Sequence, residues 1–186
     1  MTAQTLAEMR RLLARHGLSP RVSLGQHFLA DPNVTRRVVS VADIKRADQV
    51  LEVGAGTGTL TRALVEAGAT LVAGHSAHVF HGVQARVLFD LGGFIDDYAV
   101  DPVLRNDLGL LWFVTLDESG PLALEAVPLT LEYCRTRVAD GADAAWVEQR
   151  LADACRAMGM EVTAEGRRLK MTFDATVRRT GRSGLG

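Results

Sequence analysis

Two stretches of this 186-residue chain carry residue types at spacings that could do chemistry. The first is Glu52-Val53-Gly54-Ala55-Gly56-Thr57-Gly58. Glycines at alternate positions permit positive φ and let a ligand approach the backbone closely. A helix opening just beyond them would present N–H groups with no intrahelical partner. The dinucleotide fingerprint GxGxxG uses such a turn to cradle a pyrophosphate. The spacing here is GxGxG, with Glu52 two residues ahead, which suits a nucleoside cofactor without phosphate. A tight strand-to-helix turn with no ligand is the competing reading. The second stretch is Gly74-His75-Ser76-Ala77-His78-Val79-Phe80-His81, with His75 and His78 three apart and His81 close by. Neutral imidazoles ligate zinc, manganese or iron. Solvated loop histidines are the alternative.

The elements that must position these residues follow from hydrophobic period. Leu6, Met9, Leu12 and Leu13 recur at helical spacing, and Gly17 is placed to end that helix. Asp31-Pro32 reads as an N-cap with proline at the first helical position, opening a helix to about Ala42. A short apolar strand at 49–53 precedes the glycine loop, and Leu60, Leu64 and Val65 give a short helix that Gly68 should stop. A strand begins at 70–73. A parallel sheet needs a crossover after it, but the chain runs instead into the histidine-rich stretch, read as loop. Beyond it strands are expected at 86–91, 110–116, 122–133 and 169–173, a hairpin turn at 117–121 and a helix at 142–158. That helix carries Val147, Leu151, Ala154 and Cys155 on one face.

Charge changes sign along the chain. Residues 1–73 hold nine Lys and Arg against six Asp and Glu, whereas 74–186 hold twelve against sixteen. The overall net charge is −1, so the whole molecule is not a general polyanion binder. The first 46 residues, with eight basic and three acidic side chains, form an arm suited to a phosphate backbone or simply a solvated face. Residues 174–186 read as a disordered basic tail. Cys134 and Cys155 lie in no CxxC pair, so buried thiols in a reducing compartment are expected. No apolar stretch resembles a secretory signal or a membrane span, which makes a cytoplasmic protein without membrane or DNA partners the expectation.

Ser23-Leu24-Gly25-Gln26-His27-Phe28-Leu29, Asp31-Pro32-Asn33, and Val50 through Gly58 followed by Leu60-Thr61 closely resemble the start of the ribosomal RNA adenine dimethyltransferases. Related members of that family confer macrolide resistance. The resemblance covers residues 10–73. It implies S-adenosylmethionine as cofactor, with His27 and Leu29 over it, Gly54 under it, and Glu52, Gly56 and Gly58 in the same loop. It also implies small-subunit ribosomal RNA as partner, held in part by the basic arm. Two family features are missing. The family's second strand ends in an acid that binds the cofactor's ribose hydroxyls, where this chain has Leu71-Val72-Ala73-Gly74. The Asn-Leu-Pro-Tyr segment that binds the target adenine does not occur in the chain.

From Gly74 the sequence is similar to the last metal motif of CapA-type proteins of poly-γ-glutamate and capsule synthesis, which are calcineurin-like metallophosphoesterases. The similarity continues through Val87-Leu88-Phe89-Asp90-Leu91-Gly92-Gly93-Phe94-Ile95-Asp96-Asp97-Tyr98 and Leu124-Glu125-Ala126-Val127-Pro128-Leu129, spanning about residues 74–173. It implies His75 and His78 as ligands of a divalent metal, in a partial site completed by Asp90 or Asp96. The family's other metal motifs lie upstream of this one, where the present chain has the methyltransferase-like segment.

The expected fold is therefore α/β. A truncated Rossmann-like methyltransferase start, residues 1–73, joins a strand-rich α+β metallophosphoesterase-like portion, residues 74–173. The seam is at Ala73–Gly74, with poor local order around it. The expected function is binding of S-adenosylmethionine and ribosomal RNA by a dimethyltransferase-like protein that is incomplete as a catalyst. A CapA-like fragment and an inactive fusion product are the alternatives.

Overall fold

The computed structural model describes residues 6–15, 29, 31–45, 48, 50–53, 58–75, 78–95, 99–117 and 120–173. Helix α1 (Leu6–Arg15) lies where the Leu and Met spacing places it. Helix α2 (Pro32–Ala42) starts on an Asp31 cap whose carboxylate accepts the Asn33 N–H at 2.7 Å, and stops at Asp43 in the left-handed conformation. Both ends follow from local chemistry, since a short acceptor satisfies an orphan N–H at one end and a left-handed residue closes the other.

Strands β1 (Val50–Val53) and β2 (Val72–His75) pair in parallel, joined through helix α3 (Thr59–Glu66). A hairpin of β3 (Val83–Gln84) and β4 (Val87–Leu88) completes a four-stranded sheet in the order β1-β2-β4-β3. β4 runs parallel to β2 and β3 antiparallel to β4. The second sheet holds β5 (Leu108–Asp117), β6 (Gly120–Glu132), β7 (Arg135–Val138), β8 (Thr163–Glu165) and β9 (Arg168–Thr172), all antiparallel. Helix α4 (Gly141–Ala157) packs on it through Val147, Leu151 and Cys155.

Several expectations change. The loop expected from Gly74 begins later, because β2 continues to His75. The strand expected at 86–91 is only Val87–Leu88, the second arm of a hairpin whose first arm is Val83–Gln84 and whose turn includes Ala85 at φ 50°. Among the described residues no crossover helix follows β2; the chain forms the outer strand β3 first and returns into β4 beside β2. Strands β7 and β8 are additions, and Cys134 is exposed whereas Cys155 is buried. The tail from residue 174 lies outside the described residues.

The seam at Ala73–Gly74 falls inside β2. Val72 and Ala73 pair with β1 on one side and with β4 on the other, and the Leu91 N–H donates to the Gly74 carbonyl at 2.9 Å. In place of the poor order expected there, the chain on either side of the seam shares one sheet. The hairpin is also tied to the second sheet's helix. The Val83 N–H donates to Cys155 Sγ at 3.3 Å, and a Cβ on Gly82 would come within 2.8 Å of the Ala154 backbone. Glycine at position 82 is what permits α4 to approach that closely.

Two apolar clusters result. The smaller holds Leu64, Ala69 and Val72, with Val39, Ile44, Val50, Leu60 and Val65 partly buried around it. The larger includes Phe80, Val83 and Leu88 from the first sheet's hairpin region together with Leu108, Leu124, Val147, Leu151 and Met171.

Candidate functional site

In an open parallel sheet, ligands bind in the crevice outside the carboxyl ends of the strands. Here those ends are Val53 of β1, His75 of β2 and the segment after Leu88 of β4.

Glu52 is 5 % exposed, near the end of β1. Its carboxylate accepts a short hydrogen bond from the Thr61 hydroxyl, in the first turn of α3. Burial pushes the Glu52 carboxyl above the usual carboxylate range, and the Thr61 bond pulls back against that shift. The bond closes a bridge from strand to helix around the glycine loop, so it fixes where the loop must begin and end. Gly58 caps α3 at φ 76°, a conformation costly for residues with a Cβ, and a Cβ there would meet nothing within 4 Å. The space beside it is open, and α3 has no side-chain cap at its N-terminus. Glycine at the cap position offers no side-chain oxygen of its own to the first turn.

His75 pairs in register with Val53, which places it at the mouth of the same crevice, half-buried. The His78 ring stands nearly perpendicular to it with centroids 6.3 Å apart, and His78 takes φ 59°. Asp90, just past β4, is 5 % exposed. Its Oδ1 accepts the Gly92 N–H at 2.9 Å and its carbonyl accepts the His81 N–H at 3.1 Å.

The structure thus brings Glu52, Gly58 and His75 to one end of the sheet. Leu29 is half-buried, while His27, Gly54, Gly56 and Asp96 lie outside the described residues. The metal expectation needs one correction. Asp90 does not complete a ligand set with His75 and His78, and one of its oxygens accepts the Gly92 N–H instead. Among the described residues no three His, Cys, Asp or Glu side chains converge to hold an ion. The Glu52–Thr61 bridge was not legible in advance. The two residues are nine apart and belong to different elements, so no periodicity links them.

A strand, a glycine turn, a helix and a parallel second strand define the opening half of a nucleotide-cofactor fold. Residues 17–76 match the family model described as ribosomal RNA adenine dimethylase. The chain is 47 % identical over 73 residues to ribosomal RNA small subunit methyltransferase A of Phenylobacterium zucineum, covering 39 % of this chain and 26 % of that protein. It is 48 % identical over 67 residues to the protein of the same description from Bifidobacterium longum, covering 36 % of this chain and 22 % of the relative. With the Mycobacterium tuberculosis protein it shares 52 % over 66 residues, again 36 % of this chain and 21 % of the relative. The chain thus spans about a quarter or less of the length of these relatives, and what matches is an N-terminal dimethylase-type segment. The family match ends at residue 76 and does not reach the CapA-type likeness expected for most of residues 74–173. Among the described residues no helix is long and apolar enough to cross a membrane.

Proposed function

We propose that this protein binds S-adenosylmethionine at the crevice between β1, α3 and β2, and binds small-subunit ribosomal RNA, without completing methyl transfer. The observation that carries the reading is the bridged glycine turn between two parallel strands, within the segment matched to the dimethylase family. The open left-handed position at Gly58, with no side chain at the start of α3, fits a ligand that presses on backbone.

Bound S-adenosylmethionine would supply an electrophilic methyl group. The chain's own part is positional. Glu52 and Thr61 tie the first turn of α3 to the end of β1. Gly58 turns the chain into the helix without a side chain in the ligand's way. His27, Leu29, Gly54 and Gly56 take the cofactor contacts implied by the family likeness. Transfer to an adenine amine further requires the base to be held in line with the methyl group. The chain has no Asn-Leu-Pro-Tyr segment to do this, so binding without turnover is expected.

Isothermal titration calorimetry with S-adenosylmethionine tests the reading. Saturable one-to-one heat is the expected result, with no radiolabel passed to small ribosomal subunits in a parallel methyl-transfer assay. A flat titration would leave an inactive fusion product as the better description. Measurable transfer would show that other residues hold the adenine.

A further inference from the structure

We propose that His75 is the sugar contact of this site, taking one hydroxyl of the nucleoside's vicinal diol where a carboxylate would take both. The inference rests on the cofactor reading above and goes beyond it, since it assigns the ribose subsite to a residue of a different chemical type.

The argument starts from register. β1 and β2 are parallel neighbours, and their last residues, Val53 and His75, face each other across the ladder. Parallel neighbours lie about 4.8 Å apart, so His75 stands one strand away from the start of the glycine turn. In dinucleotide folds the group on the ribose hydroxyls follows the first glycine by about 20 residues, at the end of the second strand. His75 follows Gly54 by 21 residues and ends β2.

Among the described residues, the two buried carboxylates of this region have partners of their own. Glu52 is buried and accepts the Thr61 hydroxyl, and Asp90 is buried and accepts the Gly92 N–H. His75 keeps part of its surface open. Its backbone is held from the other side by the segment after β4, where the Leu91 N–H donates to Gly74 and Asp90 closes the turn that presents it. Asp90 is in this sense a positioning residue supplied from beyond the segment matched to the family.

The chemistry differs from that of an acid. A carboxylate has two oxygens side by side and can accept from both hydroxyls of a vicinal diol. The two imidazole nitrogens point to opposite sides of the ring, so one edge meets the diol and one hydroxyl is taken. The consequence is an asymmetry between the two hydroxyls that an acid would not show.

The test uses the whole chain and calorimetry with S-adenosylmethionine, His75→Ala, His75→Asp, and two analogues lacking either the 2′- or the 3′-hydroxyl. His75→Ala should weaken binding about 2- to 12-fold, the range of one hydrogen bond, with an unchanged circular dichroism spectrum. His75→Asp should bind at least as well as the unaltered protein. Against the unaltered protein one analogue should lose about the same factor and the other little, and that difference should vanish in His75→Ala. The analogue pair answers even if a variant misfolds. Cofactor binding with equal affinity in His75→Ala, or equal behaviour of the two analogues, overturns the contact alone. No heat with the unaltered protein overturns the cofactor reading and the contact with it. Zinc binding that is lost in His75→Ala while cofactor affinity stays constant would assign His75 to a metal instead.

Discussion

The sheet that carries the glycine turn and the sheet that does not are built to different standards. In the first, β1 and β2 have four residues each, and their helix-covered face buries Leu64, Ala69 and Val72. In the second, β5 has ten residues and β6 thirteen, and the cluster beneath α4 includes Leu108, Leu124, Val147, Leu151 and Met171, each at most 1 % exposed. Burying a leucine or valine contributes about 1.5–3 kcal/mol, while ordering each residue's backbone costs about 1–2 kcal/mol. Among the described residues the smaller cluster holds three buried side chains and the larger one many more. The residues fit for chemistry and the residues that hold the fold are therefore in different places. The hairpin β3–β4 connects them, pairing with β2 on one side and packing on α4 on the other.

The sharpest way to break this comparison is to separate the two. A fragment of residues 1–75 should show no cooperative thermal transition by circular dichroism, because it loses β4 and the whole larger cluster. A sigmoidal melt would show that the smaller cluster suffices. Next in size, Leu151→Ala, at a fully buried site on α4, should cost about 2–5 kcal/mol in urea unfolding. Leu64→Ala, in the cluster bordered by half-buried neighbours, should fall at the lower end of that range, and a larger loss there would reverse the ranking.

Glu52→Gln sharpens the comparison through pH. Burial raises the Glu52 carboxyl in the folded protein, so its contribution is fully present below its ordinary value of about 4. It is lost as pH rises through the raised folded value. Glutamine can still accept from Thr61 and never ionises. The variant should gain stability relative to the original between about pH 4 and pH 7, read from paired denaturation curves. A pH-independent difference would mean that burial is not felt at this carboxyl. The smallest effect is expected on the second sheet's outer surface. There Arg168 pairs with Glu125 at 2.8 Å and lies 4.7 Å from the Phe113 ring, about half exposed. Arg168→Ala should cost under about 1 kcal/mol, and a melting shift as large as that of Leu64→Ala would show a tighter network than exposed pairs usually make.

The legible elements were those with length and a clean period. α2 announced its start through Asp31-Pro32, and β5, β6 and α4 carry enough alternating or helical positions to fix their type. The hairpin at 83–88 misled because its turn uses Ala85 at φ 50°, with no Gly or Asn to mark it. β7 and β8 have four and three residues, too few to show a period. Gly74 reads as a turn signal, yet it is a buried strand residue whose carbonyl takes the Leu91 N–H. At the site, the glycine turn was plain from residue types. The Glu52–Thr61 bridge and the placement of His75 opposite Val53 depend on tertiary register, which no local pattern encodes.

β2 has one further consequence. Successive residues of a strand face opposite ways, and here the two directions lead to different interiors. Val72 enters the small cluster, whereas Leu71 and Ala73 enter the large one. The strand works like a coin sorter keyed to odd and even numbers. Inserting one residue ahead of Leu71 would send each side chain to the wrong interior, while inserting two would restore the assignment. Any change of length at this place is therefore constrained by parity as well as by composition. Insertions of one and two alanines between Thr70 and Leu71, compared by melting temperature, would read out that parity directly.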